Sequence, residues 1–166
     1  NIILLIVGGN DTTRNTMSGS VLALNEHPDQ YKKLRENPDL IETMVPEVIR
    51  WQTPLAHMRR TALQDVELGG VRLRADTKVG YHMGAANRDP RQWSDPDRFD
   101  VTRQTTGVHR AFGHGAHVCI GQMIARLEAE DGELRELEES ESDLRAEAAE
   151  RAQMADEKLA ETEHLL

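Results

Sequence analysis

Large apolar side chains are scarce in this chain. Of its 166 residues only two are Trp, two Tyr and two Phe, so aromatics make up 4% and hydrophobic residues 38%. A core has to be built from aliphatic side chains and methionine. Cys119 is the single cysteine, which excludes an internal disulfide framework and suits a reducing, cytoplasmic compartment. Long hydrophobic runs are missing as well. The apolar stretch Ile2 to Val7 falls far short of the roughly 20 residues that cross a bilayer, and it lacks the basic flank and cleavage site of a secretory signal. No membrane span is expected. Bases are outnumbered, 20 Lys and Arg against 29 Asp and Glu for a net charge of −9, which argues against a nucleic-acid partner. An initiating methionine is also absent, and a chain that opens in an apolar run reads as a fragment of something longer.

The charge that is present is unevenly placed. From Glu128 onward there are 15 acidic residues against 4 basic ones, a net of −11, so residues 1–127 carry +2. That contrast predicts a nearly neutral globular part, 1–127, followed by an acidic tail, 128–166, as a solvated helix or a partly disordered segment. Leu134, Leu137 and Leu144 have partial heptad spacing, but Glu141 and Arg151 stand where apolar residues would recur. A continuous coiled coil is not expected.

The most informative stretch is Phe112-Gly113-His114-Gly115-Ala116-His117-Val118-Cys119-Ile120-Gly121. A thiolate binds a soft or borderline metal, and glycines let backbone approach a flat group while the sulfur turns outward. Phe112 and Val118 would keep water from that sulfur. A helix over Ile120 to Leu127, beginning at the cysteine, would favour the thiolate through its dipole. The competing reading is a small buried hydrophobe, the usual fate of a lone intracellular cysteine. His114, as a metal ligand, would compete with Cys119 for one axial position. His27, His57, His82, His109 and His164 show no zinc-site spacing and read as surface or packing residues.

Upstream, Asn1 to Leu24 reads as a helix apolar on most sides and therefore buried. Its polar insert, Gly8-Gly9-Asn10-Asp11-Thr12-Thr13, conflicts with that setting, and such conflicts tend to mark functional sites. Paired glycines leave room for something flat, and an acid beside a hydroxyl can relay protons; alternatively, Thr12 bonds back to its own helix. His27-Pro28 ends this helix, and Pro28 and Pro38 suit the first turns of two more. The second carries Glu47 and Arg50, three apart on one face and able to pair. Their neighbours Val45, Val48, Ile49 and Trp51 predict that the pair is buried. Arg60 to Met83 reads as strands, with a hairpin at Gly69-Gly70 and a third strand over Thr77 to Met83. Ala85-Ala86-Asn87-Arg88-Asp89-Pro90 then leads into a loop-rich stretch.

Five of these features, in this order, resemble the cytochromes P-450, haem-thiolate monooxygenases: the Asp11-Thr12 helix, Glu47-x-x-Arg50, the arginine strand at Arg60, Pro96-Asp97-Arg98-Phe99, and the cysteine loop. The resemblance covers roughly Asn1 to Leu127. It implies Cys119 as the metal ligand of haem b, Asp11 and Thr12 as the acid and alcohol pair of the oxygen site, and Arg60 and His117 as partners of the haem propionates. Phe112, Gly115 and Gly121 line the same cofactor, and His114 becomes a loop residue near the haem edge. Glu47, Arg50 and Arg98 would form one structural network beneath the loop.

The fold class that follows is mainly α, an α+β segment of the cytochrome P-450 fold with a small antiparallel sheet. The implied reaction hydroxylates an unactivated C–H bond of an apolar small molecule with dioxygen. Asn1 to Gly70 looks most like soluble bacterial members that act on alkanes and fatty acids. Electrons would come from a ferredoxin and its reductase, steered by a basic patch of Arg98, Arg103, Arg110 and Arg126. The family's helices before the oxygen-site helix are not in this chain, so the 166 residues alone are expected to hold haem weakly. Two rival readings stay open: an inactive truncated segment, and an acidic helical interaction module.

Overall fold

The computed structural model describes residues 2–105, 108–135, 137, 139, 142, 143, 146 and 150. The chain divides into two compact units, Asn1–Glu130 and Asp131–Leu166. In the second unit the described residues are helical. Residues 151–166 and Leu144, on which much of the reading of the acidic tail turns, lie outside the described residues.

The first unit opens with a long helix, α1 (Ile2–Glu26), followed by α2 (Pro28–Glu36), a 3-10 turn (Pro38–Leu40) and α3 (Ile41–Gln52). Pro28 and Pro38 each occupy a first-turn position, where the missing N–H costs no helical bond. The backbone of α3 stops at Thr53, which takes φ 47 and donates its N–H to Ile49 O at 3.0 Å. That left-handed cap turns the chain towards the strands.

Four short strands follow: β1 (His57–Thr61), β2 (Val66–Leu68), β3 (Val71–Leu73) and β4 (Lys78–His82). They form two separate antiparallel pairs, β1 with β4 and β2 with β3. Gly69 and Gly70, with φ 58 and 79, make the two-residue hairpin that the paired glycines require, and it closes Leu68 against Val71. Met83, read from sequence as the end of a strand, instead opens a one-turn helix, α4 (Met83–Ala86), and is buried.

The core lies where α2 and α3 meet the loop-rich segment after α4. Leu34, Met44, Val45, Val48, Phe99 and Val101 are all essentially inaccessible to solvent. Trp51, Phe99 and His27 pack ring to ring, with centroids 5.5 to 5.9 Å apart, so two of the chain's six Trp, Tyr and Phe side chains serve this region.

Helix α1 departs from the expectation of all-round burial. Thr16, Ser20, Ala23 and Leu24 form a buried stripe at helical spacing, whereas Met17, Val21 and Leu22 are exposed, Leu22 at 59%. The polar insert does not break it either, because α-helix runs continuously through Gly8 and Gly9. No described helix is long and apolar enough to cross a membrane.

Candidate active site

The cysteine loop is a hydrogen-bonded turn. Gly113 and Gly115 both take φ 75, a conformation that side chains with a Cβ adopt only under strain. The reversal lets Cys119 donate its N–H to Phe112 O at 2.9 Å, and Val118 donate to Gly115 O at 3.0 Å. His114 precedes the 3-10 turn Gly115–His117, and the side chains of His114, His117 and Cys119 are exposed. A Cβ built at Gly121 would lie 3.9 Å from the cysteine sulfur, so that glycine forms one wall beside the thiol.

Two expectations about this loop need correction. Phe112 is half-buried and Val118 is 43% exposed, so neither seals Cys119 from water in this chain. The following helix starts at residue 122 rather than at the cysteine. Its first turn is closed by Ala125 N–H donating to Gly121 O at 2.9 Å, so the positive helix end lies just beyond the thiol.

Beneath Phe112 lies His109, 5% exposed, with its ring centroid 5.4 Å from that of Phe112. Arg126 covers the same aromatic ring at 5.6 Å. Among the described residues, both ring nitrogens of His109, Thr105 Oγ1 and Arg126 Nε are buried without a hydrogen-bond partner. Burial, then the positive charges of Arg126, Arg110 and Arg50, depress the His109 pKa to about 4, so its ring is neutral at pH 7.

The Glu47–Arg50 pair is fully buried, as its neighbours in sequence imply. Arg50 donates Nε to Glu47 Oε2 at 2.7 Å and Nη2 to Glu47 Oε1 at 2.8 Å, a two-pronged contact. Its other N–H groups reach the carbonyls of Asn87, Pro96 and Arg98 at 2.8, 2.9 and 3.3 Å. Glu47 Oε1 also accepts from the backbone N–H of Asp100 and from Arg103 Nε, both at 3.1 Å. The third guanidinium of the network is therefore that of Arg103. Arg98 contributes only its carbonyl, while its side chain is 58% exposed and points to Asp100 at 3.9 Å. Arg103 wins because it can also donate to the carbonyls of Ser94, Asp95 and Arg98, which saturates its planar fork.

Asn87, read from sequence only as part of a turn, joins this network to the loop. It is fully buried, donates to Thr53 Oγ1 at 2.9 Å, and accepts from the Arg110 backbone N–H at 2.6 Å. Arg110 in turn accepts from the N–H of Gly113 at 2.9 Å. An unbroken path of hydrogen bonds thus runs from Arg50 through Asn87 to the first turn of the cysteine loop. The only advance signal for Asn87 was a polar residue between two alanines and a charged turn.

The remaining candidates are not drawn to the loop. Half-buried Thr12 donates its hydroxyl to Gly8 O at 2.7 Å, the back-bonded arrangement, and the exposed Asp11 carboxylate faces Arg14 at 3.5 Å. The neighbour Thr13 makes the long-range contact, donating to Glu128 Oε2 at 3.3 Å on the helix that follows Cys119. Arg60 is exposed, donates to Arg59 O at 3.0 Å and lies 5.2 Å above the Tyr81 ring. Of the four arginines expected as a basic patch, Arg98 and Arg110 are exposed, whereas Arg103 is committed to Glu47 and Arg126 to Phe112.

Chemically, the loop offers one accessible sulfur on a backbone bent by two glycines. Among the described residues no three His, Cys, Asp or Glu side chains gather to cage a metal. A metal at Cys119 must then bring most of its own ligands, as the iron of a planar macrocycle does. Val118, Ile120, Met123 and Ile124, exposed by 43, 94, 63 and 62%, supply apolar surface around that thiol.

The family model for cytochrome P450 matches residues 1–130. The biotin biosynthesis cytochrome P450 of Bacillus subtilis is 49% identical over 128 residues, which cover 77% of this chain and 32% of that protein. Linalool 8-monooxygenase of Pseudomonas putida is 46% identical over 129 residues, 77% of this chain and 31% of its own length. Among solved structures, cytochrome P450-153 from Novosphingobium aromaticivorans superposes with a TM-score of 0.81 at 47% identity, covering 84% of this chain and 35% of that one. P450BioI bound to an acyl carrier protein carrying hexadec-9Z-enoic acid gives a TM-score of 0.74 at 49% identity, covering 77% and 33%. The chain spans about a third of the length of the curated relatives it matches.

Proposed function

The chain belongs to the cytochrome P450 family, and from that premise we propose that it is the haem-thiolate part of a monooxygenase that hydroxylates an apolar substrate. One observation carries the proposal: a lone, accessible thiol held on a two-glycine loop and tied by hydrogen bonds to a buried carboxylate–guanidinium network. The residues present fit haem: Cys119 would offer the iron a single sulfur, and Val118, Ile120, Met123 and Ile124 would offer apolar surface around it. When bound, a thiolate-ligated haem supplies the oxygen-activating chemistry.

In this reading the Cys119 Sγ binds the iron, and the Cys119–Phe112 backbone bond fixes the sulfur's direction. Phe112, Gly115 and Gly121 would border the cofactor, and Gly115 has nothing within 4 Å of where a Cβ would stand. His117 and Arg60 are exposed and long enough to turn towards carboxylates, and Arg60 need give up only a surface contact with Tyr81. Thr12 Oγ1 spends its proton on Gly8 O, so its oxygen is left to accept a hydrogen bond. Asp11, exposed and held by Arg14 only at a marginal 3.5 Å, would be the acid beside it. Glu47, Arg50, Arg103 and Asn87 act by holding the loop.

For substrate, we favour an alkane or a fatty acid. Support comes from the P450BioI complex, in which the bound acyl carrier protein carries a fatty acid. Relatives named for linalool and steroid oxidation share with these only an apolar substrate. A ferredoxin with its reductase is the proposed electron donor, with Arg98 and Arg110 as the exposed charges available to meet it. A reducing, cytoplasmic location belongs to the same proposal, since Cys119 has to stay a free thiol. The rival reading of the chain as a segment without activity of its own draws on the exposure of Cys119 and of Ile120.

The deciding measurement is the difference spectrum of the reduced chain with carbon monoxide after incubation with haem. The proposal expects a Soret band displaced as thiolate ligation requires, lost in Cys119→Ser and kept in Arg98→Ala. An identical spectrum from the Cys119→Ser variant would refute ligation by this sulfur.

A further inference from the structure

Histidines 25 residues apart in sequence meet across the β1–β4 pair. His57 and His82 are direct partners in the register, with ring centroids 5.6 Å apart and planes inclined by 35°. Both are exposed. They form the last rung of the ladder, and the backbone just beyond it is pinned: Met83 donates its N–H to Ala56 O at 2.9 Å, and Gly84 donates to the same oxygen at 3.3 Å. Met83 itself is buried, which anchors that end of β4 to the core. The backbone positions from which the two rings extend are therefore fixed.

From this juxtaposition we propose that His57 and His82 form a surface site for a borderline divalent metal ion of the nickel, copper or zinc class. A tetrahedral metal about 2.0–2.1 Å from one nitrogen of each ring would hold the two centroids roughly 5 Å apart. The observed spacing is reached from there by small side-chain rotations. Imidazole nitrogen is the donor such ions prefer, and the remaining coordination positions stay open to water. Side chains alternate along a strand, so His57 and Arg59 share one face of the pair, and Met58 and Arg60 the other. The site thus lies across the sheet from Arg60. Arg59, two residues from His57 on the same face, opposes a cation and keeps the site modest in affinity.

The test is calorimetric titration of the full chain with Ni²⁺ in a Cys119→Ser background, which removes the thiolate as a competing donor. One saturable ion per chain is expected. His57→Asn, His82→Asn and the double variant should all weaken binding to the same extent, by at least about tenfold, because a chelate is lost when either arm goes. Ni²⁺ should also broaden the ring-proton resonances of both histidines together. Absence of saturable binding, singles that bind as tightly as the parent, or losses that add in the double variant would overturn the site. Asparagine on an exposed strand face leaves the fold intact, and unchanged dichroism of the variants checks this.

Discussion

Arg98 and Arg103 lie five residues apart in the same loop, yet only one is bound to the buried carboxylate. Glu47 and Arg50 are both fully buried, and each needs the other's charge. Taking one partner from a buried pair costs about 3–5 kcal/mol, because the survivor's charge is left uncompensated. Glu47→Ala should therefore lower unfolding stability by that amount in urea titrations. Arg103→Ala should cost about 1.5–3 kcal/mol, the range for a hydrogen bond to a charged group, while Arg98→Ala should stay within about 0.5 kcal/mol. A reversal of that order would place Arg98 in the network after all.

His109 supplies a second prediction at the same scale. Its pKa falls from 6.5 to about 4 on folding, so between those values the unfolded chain binds the proton and the folded chain does not. The stability tied to its neutral form is complete above pH 6.5 and is lost progressively as pH falls towards 4. The full shift corresponds to about 3 kcal/mol. Denaturation midpoints compared at pH 7.5 and pH 4.5 should show the parent losing more stability than His109→Leu. Equal losses would mean that the ring titrates as it does in water.

Among the elements, the hairpin and α1 answer to different physics. Gly70 has φ 79 and no atom within 4 Å of where a Cβ would stand, so Gly70→Ala meets no clash and costs only the left-handed backbone, about 1–2 kcal/mol. Amide exchange across the Val66–Leu73 rung should quicken while the α2–α3 core stays protected. At Gly19 the opposite holds: a Cβ would run into the Gln52 side chain, and α1 and α3 pack against each other. Gly19→Leu should destabilise by about 1–3 kcal/mol through overpacking, with Gly19→Ala milder because the end of Gln52 can move.

Across the first unit as a whole, a dry core around α3 coexists with a cysteine loop open to solvent. Ile120, Met123, Ile124 and Leu127 recur at helical spacing, and all four are more than 60% exposed. The thiol they flank is exposed, without apolar cover among the described residues. Haem held from one side alone gains only part of the burial that would stabilise it. Gel filtration of the chain after haem loading should accordingly recover less than one haem per protein, and stoichiometric retention would contradict this.

Much of this protein follows from local chemistry alone. Two adjacent glycines require the hairpin, prolines start α2 and the turn before α3, and the glycines around Cys119 set a loop that turns a sulfur outward. Such features depend on backbone sterics and on neighbours a few residues away, and the order of motifs carries the family with them. Tertiary structure decided what depends on distance through space. It chose Arg103 over Arg98 for Glu47, made Asn87 the link between α3 and the cysteine loop, and set His57 opposite His82. Residues 23 to 56 positions apart meet only after the chain has closed on itself. Which guanidinium then finds the most carbonyls is a property of the packed loop, invisible in the spacing of its letters. The exposure of α1 has the same origin: its apolar sequence specifies a side chain's preference, and only the surrounding elements determine whether that preference is met.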